Sequence, residues 1–191
     1  KYLNKTIKSC LNQTYKKYEI ILIFSYLNNL KFLKNNFKSK VRYLKVSKQL
    51  NPLRDQFFKI KQGLKCSKGD FIFLLDGDDE FKKNKLKEII SLKNKNHLIM
   101  DDHIIFKNNN FIYKKSNFYK NYLLYQIFFN PWPDKVCTSS ISGSKKLFQK
   151  FFKSFKMKNI NFVAIDILLI IFFLKKNYFQ KKLLTIKKIL D

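Results

Sequence analysis

From Tyr2 to Gln13, apolar side chains recur at Leu3, Ile7, Cys10 and Leu11, the spacing of an amphipathic helix. Glu19 to Phe24 (EIILIF) is a continuous β-branched and aromatic run, the pattern of a strand buried on both faces. A lysine- and asparagine-rich stretch follows, and Val41 to Val46 (VRYLKV) then alternates like a second strand. Phe57, Ile60 and Leu64 mark a helix ending near Gly69, and Phe71 to Leu75 (FIFLL) reads as a third strand. Leu86, Ile89 and Ile90 predict another helix and Leu98 to Phe106 another strand, which turns at Asn108–Asn110 into Phe111 to Tyr113 as a hairpin. Beyond it the pattern is mostly helical, over Asn117 to Phe129, Ser144 to Phe155, Asn161 to Leu174 and Phe179 to Leu190. A Pro-Trp-Pro loop at 131–133 and a polar loop at 137–144 interrupt these helices. The front half therefore alternates helix and strand, which predicts an α/β fold with a mostly parallel sheet flanked by helices and a helical C-terminal part. With no internal repeat and no linker, the 191 residues read as one domain.

Charge changes this picture less than its size suggests. The chain carries 40 Lys+Arg against 13 Asp+Glu, a formal net charge of +27, yet 21 Phe and 10 Tyr supply enough core material to exclude a disordered polycation. Only Arg42 and Arg54 are arginines, and the lysines are spread along the whole sequence. A nucleic-acid protein more often gathers its charge into a stripe and uses Arg forks on phosphate and base edges, so no nucleic-acid partner is expected. The scatter fits a coding bias and a solvated lysine surface. Cys10, Cys66 and Cys137 lie far apart with no Cys-x-x-Cys spacing, which argues against a zinc site or disulfide framework and for a reducing cytoplasm. The longest apolar run, Ile160 to Leu174, carries Asp166 and falls short of the roughly 20 apolar residues of a membrane span, so it predicts a buried helix.

Against so basic a background the scarce acids carry information. In Lys68-Gly69-Asp70-Phe71-Ile72-Phe73-Leu74-Leu75-Asp76-Gly77-Asp78-Asp79, an apolar strand ends in three carboxylates within four residues. Open α/β sheets bind ligands beyond the carboxyl ends of their strands, where this cluster falls. Adjacent carboxylates repel unless a cation or donors neutralise them, and such hard oxygen ligands suit Mg²⁺ or Mn²⁺ bridging to a diphosphate. The competing reading is a turn with an Asp cap opening the helix at 82–93, since Asp-Gly is also a common turn pair. Asp101, Asp102 and His103 follow a strand and are weaker candidates for the same cleft.

Leu74-Leu75-Asp76-Gly77-Asp78-Asp79, preceded by Gly63-Leu64, Ser67-Lys68-Gly69 and the FIFLL strand and followed by Lys85-Leu86, resembles the central block of family 2 glycosyltransferases. Tyr2-Leu3, Thr6-Ile7, Ser9, Leu11 to Tyr15 and Glu19 to Ile21 are similar to that family's first helix and second strand, in the same order and spacing. The resemblance implies a GT-A (Rossmann-like) fold, with residues 1–106 as the nucleotide-sugar-binding half and 107–191 as the acceptor half. It implies transfer of a sugar from a nucleotide-diphosphate donor to a hydroxyl of a glycan or lipid-linked acceptor, with inversion, in the cytoplasm or in peripheral contact with an anionic membrane. Asp76 and Asp78 match the family's Asp-x-Asp motif: Asp78 would hold the divalent metal and Asp76 would contact the ribose or sugar, with Asp79 as a second ligand or a cap. Asp166, the one acid of NFVAIDILLIIFF, is the candidate general base, its competing role being a structural Asp satisfied by backbone N–H groups.

The sequence also departs from the family. It starts after the family's usual first strand and its Pro-x-Tyr-Asn-like segment, so a chain lacking the first strand is expected, either a piece of a longer protein or a degenerate homologue. The acidic pair that would hold the base falls at Phe24-Ser25, and the usual Arg-Asn pair falls at Ile60-Lys61. Lys61 or Arg54 would have to serve the diphosphate as a point charge. Two alternatives stay open: an inactive glycosyltransferase-like protein, and a lysine-rich module for RNA or anionic membrane.

Overall fold

The computed structural model describes residues 2–37, 39–92, 98–101, 105–107, 110–112, 137–155 and 163–180. The expectations for Asp102, His103, the helix at 117–129, the Pro-Trp-Pro loop and the stretch 181–190 lie outside these residues. The order is α1 (Tyr2–Leu11), β1 (Ile21–Phe24), α2 (Leu30–Phe37), β2 (Arg42–Lys45), α3 (Pro52–Cys66), β3 (Phe71–Phe73) and α4 (Lys85–Leu92). There follow β4 (Leu98–Met100), β5 (Ile105–Lys107), β6 (Asn110–Ile112), a 3₁₀ turn (Thr138–Ser140), β7 (Ile141–Ser144), α5 (Lys145–Ser154) and α6 (Ile165–Gln180).

Strands β1 and β2 pair in parallel, with Ile21 beside Arg42 and Phe24 beside Lys45. Strand β7 lies between β3 and β4 and is antiparallel to both, with Phe73 beside Ser142 and Met100 beside Ile141. It follows that β3 and β4 run parallel to each other, and that the N-terminal end of β7 shares a sheet edge with the C-terminal ends of β3 and β4. Strands β5 and β6 form the expected hairpin. Among the described residues β1 pairs only with β2, and β3 only with β7. The Glu19 carboxylate ties the two sheets at their N-terminal ends: it accepts the Lys68 and Gly69 N–H groups and pairs with Arg42 at 2.8 Å.

The main core joins Phe57 and Leu64 of α3 to Leu98 and Met100 of β4, Ile141 of β7, Phe148, Phe151 and Phe152 of α5 and Ile165, Leu169 and Phe172 of α6. The rings interlock edge-on, as Phe57 with Phe152 at 4.7 Å and Phe151 with Phe172 at 5.6 Å. A second, smaller core packs Ile7 of α1 against Leu33, Phe37 and Val41. Helix α3 starts on Asn51, whose side chain accepts the Leu53 and Arg54 N–H groups, with Pro52 in the first turn. Its Gly63 lies against β1, since a Cβ there would overlap the δ-methyl of Ile23.

Several elements differ from the sequence pattern. Helix α2 occupies the lysine- and asparagine-rich stretch, because Leu33 and Phe37 are buried four residues apart. The polar loop expected at 137–144 is a 3₁₀ turn and strand β7. Ile-Ser-Gly-Ser has no alternating apolar signal, and its place comes from the two neighbours that supply both of its ladders. The strand expected over 98–106 is divided into β4 and β5, and α6 runs through the break expected between 174 and 179. In β1 only Phe24 is fully buried, in keeping with a strand that has a partner on one edge.

Candidate functional site

The C-terminal end of β3, the C-terminal end of β4, the 3₁₀ turn before β7 and the first turn of α6 bring the chemically active side chains together. The chain leaves β3 through Leu74, whose N–H still bonds Ile141, and enters the acid turn, closed by Asp79 N–H on the Asp76 carbonyl at 3.3 Å. Asp76 is half-buried and Asp78 exposed. The Asp76 N–H donates to Ser139 Oγ at 2.9 Å, while its carboxylate accepts from Gln56 Nε2 at 3.3 Å. The same Gln56 nitrogen donates to Thr138 Oγ1 at 3.1 Å. Helix α3, the acid turn and the 3₁₀ turn are thus joined through one carboxamide.

Burial pushes the Asp76 carboxyl up to about 6, the Asp79 carboxylate adds to this, and Asp78 and Asp166 add smaller repulsions against the lowering effect of Gln56. Asp166, in the first turn of α6, is the weakest of the three acids that act on Asp76. The Asp166 carboxyl is itself raised, chiefly by burial, and its Oδ1 accepts the Ile167 N–H at 2.8 Å. Asp166 therefore accepts a helix N-terminal N–H, as the structural reading of the sequence expected.

Lys85, in the first turn of α4, brings a cation to this region. Its ammonium contacts both Asp101 oxygens at 2.8 and 3.0 Å, donates to the Ser139 carbonyl at 2.7 Å and lies 4.3 Å from the Phe81 ring centre. Both partners of the pair are nearly enclosed, their side chains 11% and 12% exposed. Asp101 thus reaches the site through Lys85. Burial raises the Cys10 thiol to about 11 and also raises Cys137, so neither presents a thiolate nucleophile near neutral pH.

On α3 the side chain bonded to Asp76 is Gln56. Arg54 and Lys61 stand seven residues apart on another side of the helix, given about 100° per residue. Sequence reasoning named Lys85 only as part of the family-like block and did not single out Gln56, since a glutamine beside an apolar helix stripe has no distinguishing signal. Among the described residues no group of three or more His, Cys, Asp or Glu side chains is arranged to hold a metal ion unaided. The donor set, an exposed Asp78 beside crowded Asp76 and Asp79, fits a hard cation shared with phosphate oxygens better than a closed protein cage.

Residues 1–152 match the family described as Glycosyl transferase family 2. An uncharacterized glycosyltransferase of Haemophilus influenzae is 34% identical over 101 residues, covering 52% of this chain and 40% of that protein. The crystal structure of S. aureus TarS superposes with a TM-score of 0.55 at 12% identity, over 84% of this chain and 29% of TarS. TarS 1–349 in complex with UDP does so with the same TM-score at 11% identity, over 83% of this chain and 47% of that one. The chain thus spans less than half the length of each of these proteins, and the superposition shows that it shares the fold of TarS. On the strength of a family match over most of its length and of this shared fold, the chain belongs to family 2 of the glycosyltransferases.

Proposed function

We propose that the chain forms an inverting glycosyltransferase site, in which a nucleotide-diphosphate sugar lies across the acid turn and Asp166 serves the acceptor. The observation that supports this reading is that Asp76, buried at the end of β3, is acted on by the carboxylates of Asp79, Asp78 and, more weakly, Asp166 from α6. Asp78, exposed, and Asp76 would hold Mg²⁺ or Mn²⁺ on the diphosphate. When bound, that ion supplies Lewis-acid stabilisation of the departing nucleotide diphosphate.

Asp166 accepts the proton of the acceptor hydroxyl as its oxygen bonds to the anomeric carbon; the bond to the diphosphate breaks on the opposite face, and configuration inverts. Burial raises Asp166 and thereby makes it a stronger base than an exposed carboxylate. Lys85 and Ser139 fix the turn facing the acid cluster. The UDP seen on TarS supports a nucleotide donor here as well. The acceptor, a glycan or a lipid-linked sugar, and a cytoplasmic location are part of the same proposal.

Calorimetric titration with nucleotide sugars in the presence of Mn²⁺ tests it. The parent chain is expected to bind at least one donor, with affinity lost in Asp78→Ala and on chelation of the metal. Binding that survives both changes removes the metal-and-diphosphate role. Absence of binding to every donor, with the fold intact by circular dichroism, leaves the inactive glycosyltransferase-like alternative.

A further inference from the structure

The acid turn is gripped from the side by α1, and the grip is polar. Helix α1 turns Ile7 into the smaller core, yet α1 and the turn that follows it bury Thr6, Ser9 and Gln13, with exposures of 5%, 9% and 0%. Buried polar groups are costly unless bonded, and each of these is bonded to the segment around the carboxylates. Thr6 Oγ1 donates to the Gly77 carbonyl at 3.0 Å. Ser9 Oγ accepts the Phe81 N–H at 3.0 Å while donating to the Thr6 carbonyl at 2.8 Å.

Gln13 uses both ends of its carboxamide. Nε2 donates to the Lys82 carbonyl at 2.7 Å and to the Ser9 carbonyl at 3.1 Å, while Oε1 accepts the Leu86 N–H at 3.1 Å. The Thr14 N–H adds a bond to the Lys83 carbonyl at 3.0 Å. The anchored positions 77 and 81 bracket Asp78, Asp79 and Glu80. Neighbouring carboxylates repel, so a turn held only by its own hydrogen bonds would relax to separate them. An apolar helix face packed here would leave these carbonyls and amides unpaired and could not fix them individually.

We infer that Thr6, Ser9 and Gln13 are positioning residues that hold the acid turn in the arrangement needed to receive a cation and diphosphate. This rests on the proposed donor site, and its test separates the two. Titration uses Mn²⁺ with UDP on the parent chain, Gln13→Met, Thr6→Val, Thr6→Ser and, as a destabilised control in the smaller core, Leu33→Ala. Gln13→Met and Thr6→Val are expected to bind about 10- to 100-fold more weakly, as is usual when groups that orient metal ligands are lost. Thr6→Ser, which keeps the hydroxyl, and Leu33→Ala, which loses only packing, are expected to bind within about twofold of the parent. Parent-like binding by Gln13→Met and Thr6→Val overturns the inference, as does an equal loss in Leu33→Ala. If the parent itself binds no UDP, the donor reading fails for that nucleotide, and hydrogen exchange decides the positioning role. The Leu86 amide should then exchange faster in Gln13→Met than in Leu33→Ala, and equal rates overturn it.

Discussion

Asp76 is the residue where environment most changes what the side chain is. An aspartate at the end of a strand is ordinary, but here burial and a neighbouring carboxylate raise it to about 6. A carboxyl raised in the folded state binds its proton more tightly there than in the unfolded chain. Its stabilising effect is therefore complete below about pH 4 and is lost as pH rises through about 6. Asp76→Asn removes the ionisation, so its melting temperature should exceed the parent's at pH 7, and that advantage should shrink towards zero near pH 4. Melting curves of both proteins across this range check the sign; a variant less stable than the parent at pH 7 contradicts the burial argument. Of the site's residues, the acid turn and Asp166 were legible in the sequence because acids are scarce there. Gln56 was not, since its role lies in bonds to partners distant along the chain.

Among the elements, α3 and β7 do most to place the site, and they show opposite degrees of legibility. Helix α3 announces itself by Phe57, Ile60 and Leu64 and by an Asn-Pro start, and it delivers Gln56 to Asp76. Asn51→Ala leaves the Leu53 and Arg54 N–H groups without their cap and should cost about 1 kcal/mol, while Asn51→Asp, which keeps an acceptor, should cost little. For a domain of this size the loss corresponds to roughly 2–4 °C in melting temperature, measurable by scanning calorimetry. Strand β7 gives no such signal, because two of its four residues are serine and one is glycine. Its conformation is set by β3 and β4, which hydrogen-bond it from both sides. That insertion carries Thr138 and Ser139 to the edge where β3 ends, so the least legible strand supplies the facing wall of the site.

At the scale of the whole molecule, the +27 charge acts on stability as self-repulsion. The Lys85–Asp101 ion pair is largely enclosed and so only weakly screened. Raising NaCl from about 10 mM to 0.3 M shortens the Debye length from roughly 30 Å to under 10 Å and should raise the melting temperature. A fall would mean that surface pairs outweigh the repulsion. The sequence by itself determined the alternation of helix and strand in the front half, because hydrophobic period and turn residues act locally, and it marked the acid turn by its rarity in a lysine-rich chain. Only the tertiary structure decided which strands neighbour one another, that a serine-rich segment is a strand, and that Thr6, Ser9, Gln13, Gln56 and Lys85 converge on the carboxylates. Those outcomes depend on hydrogen bonds between residues far apart in the chain, formed in a desolvated interior where an unpaired polar group is costly, and no local pattern encodes which partner each will find.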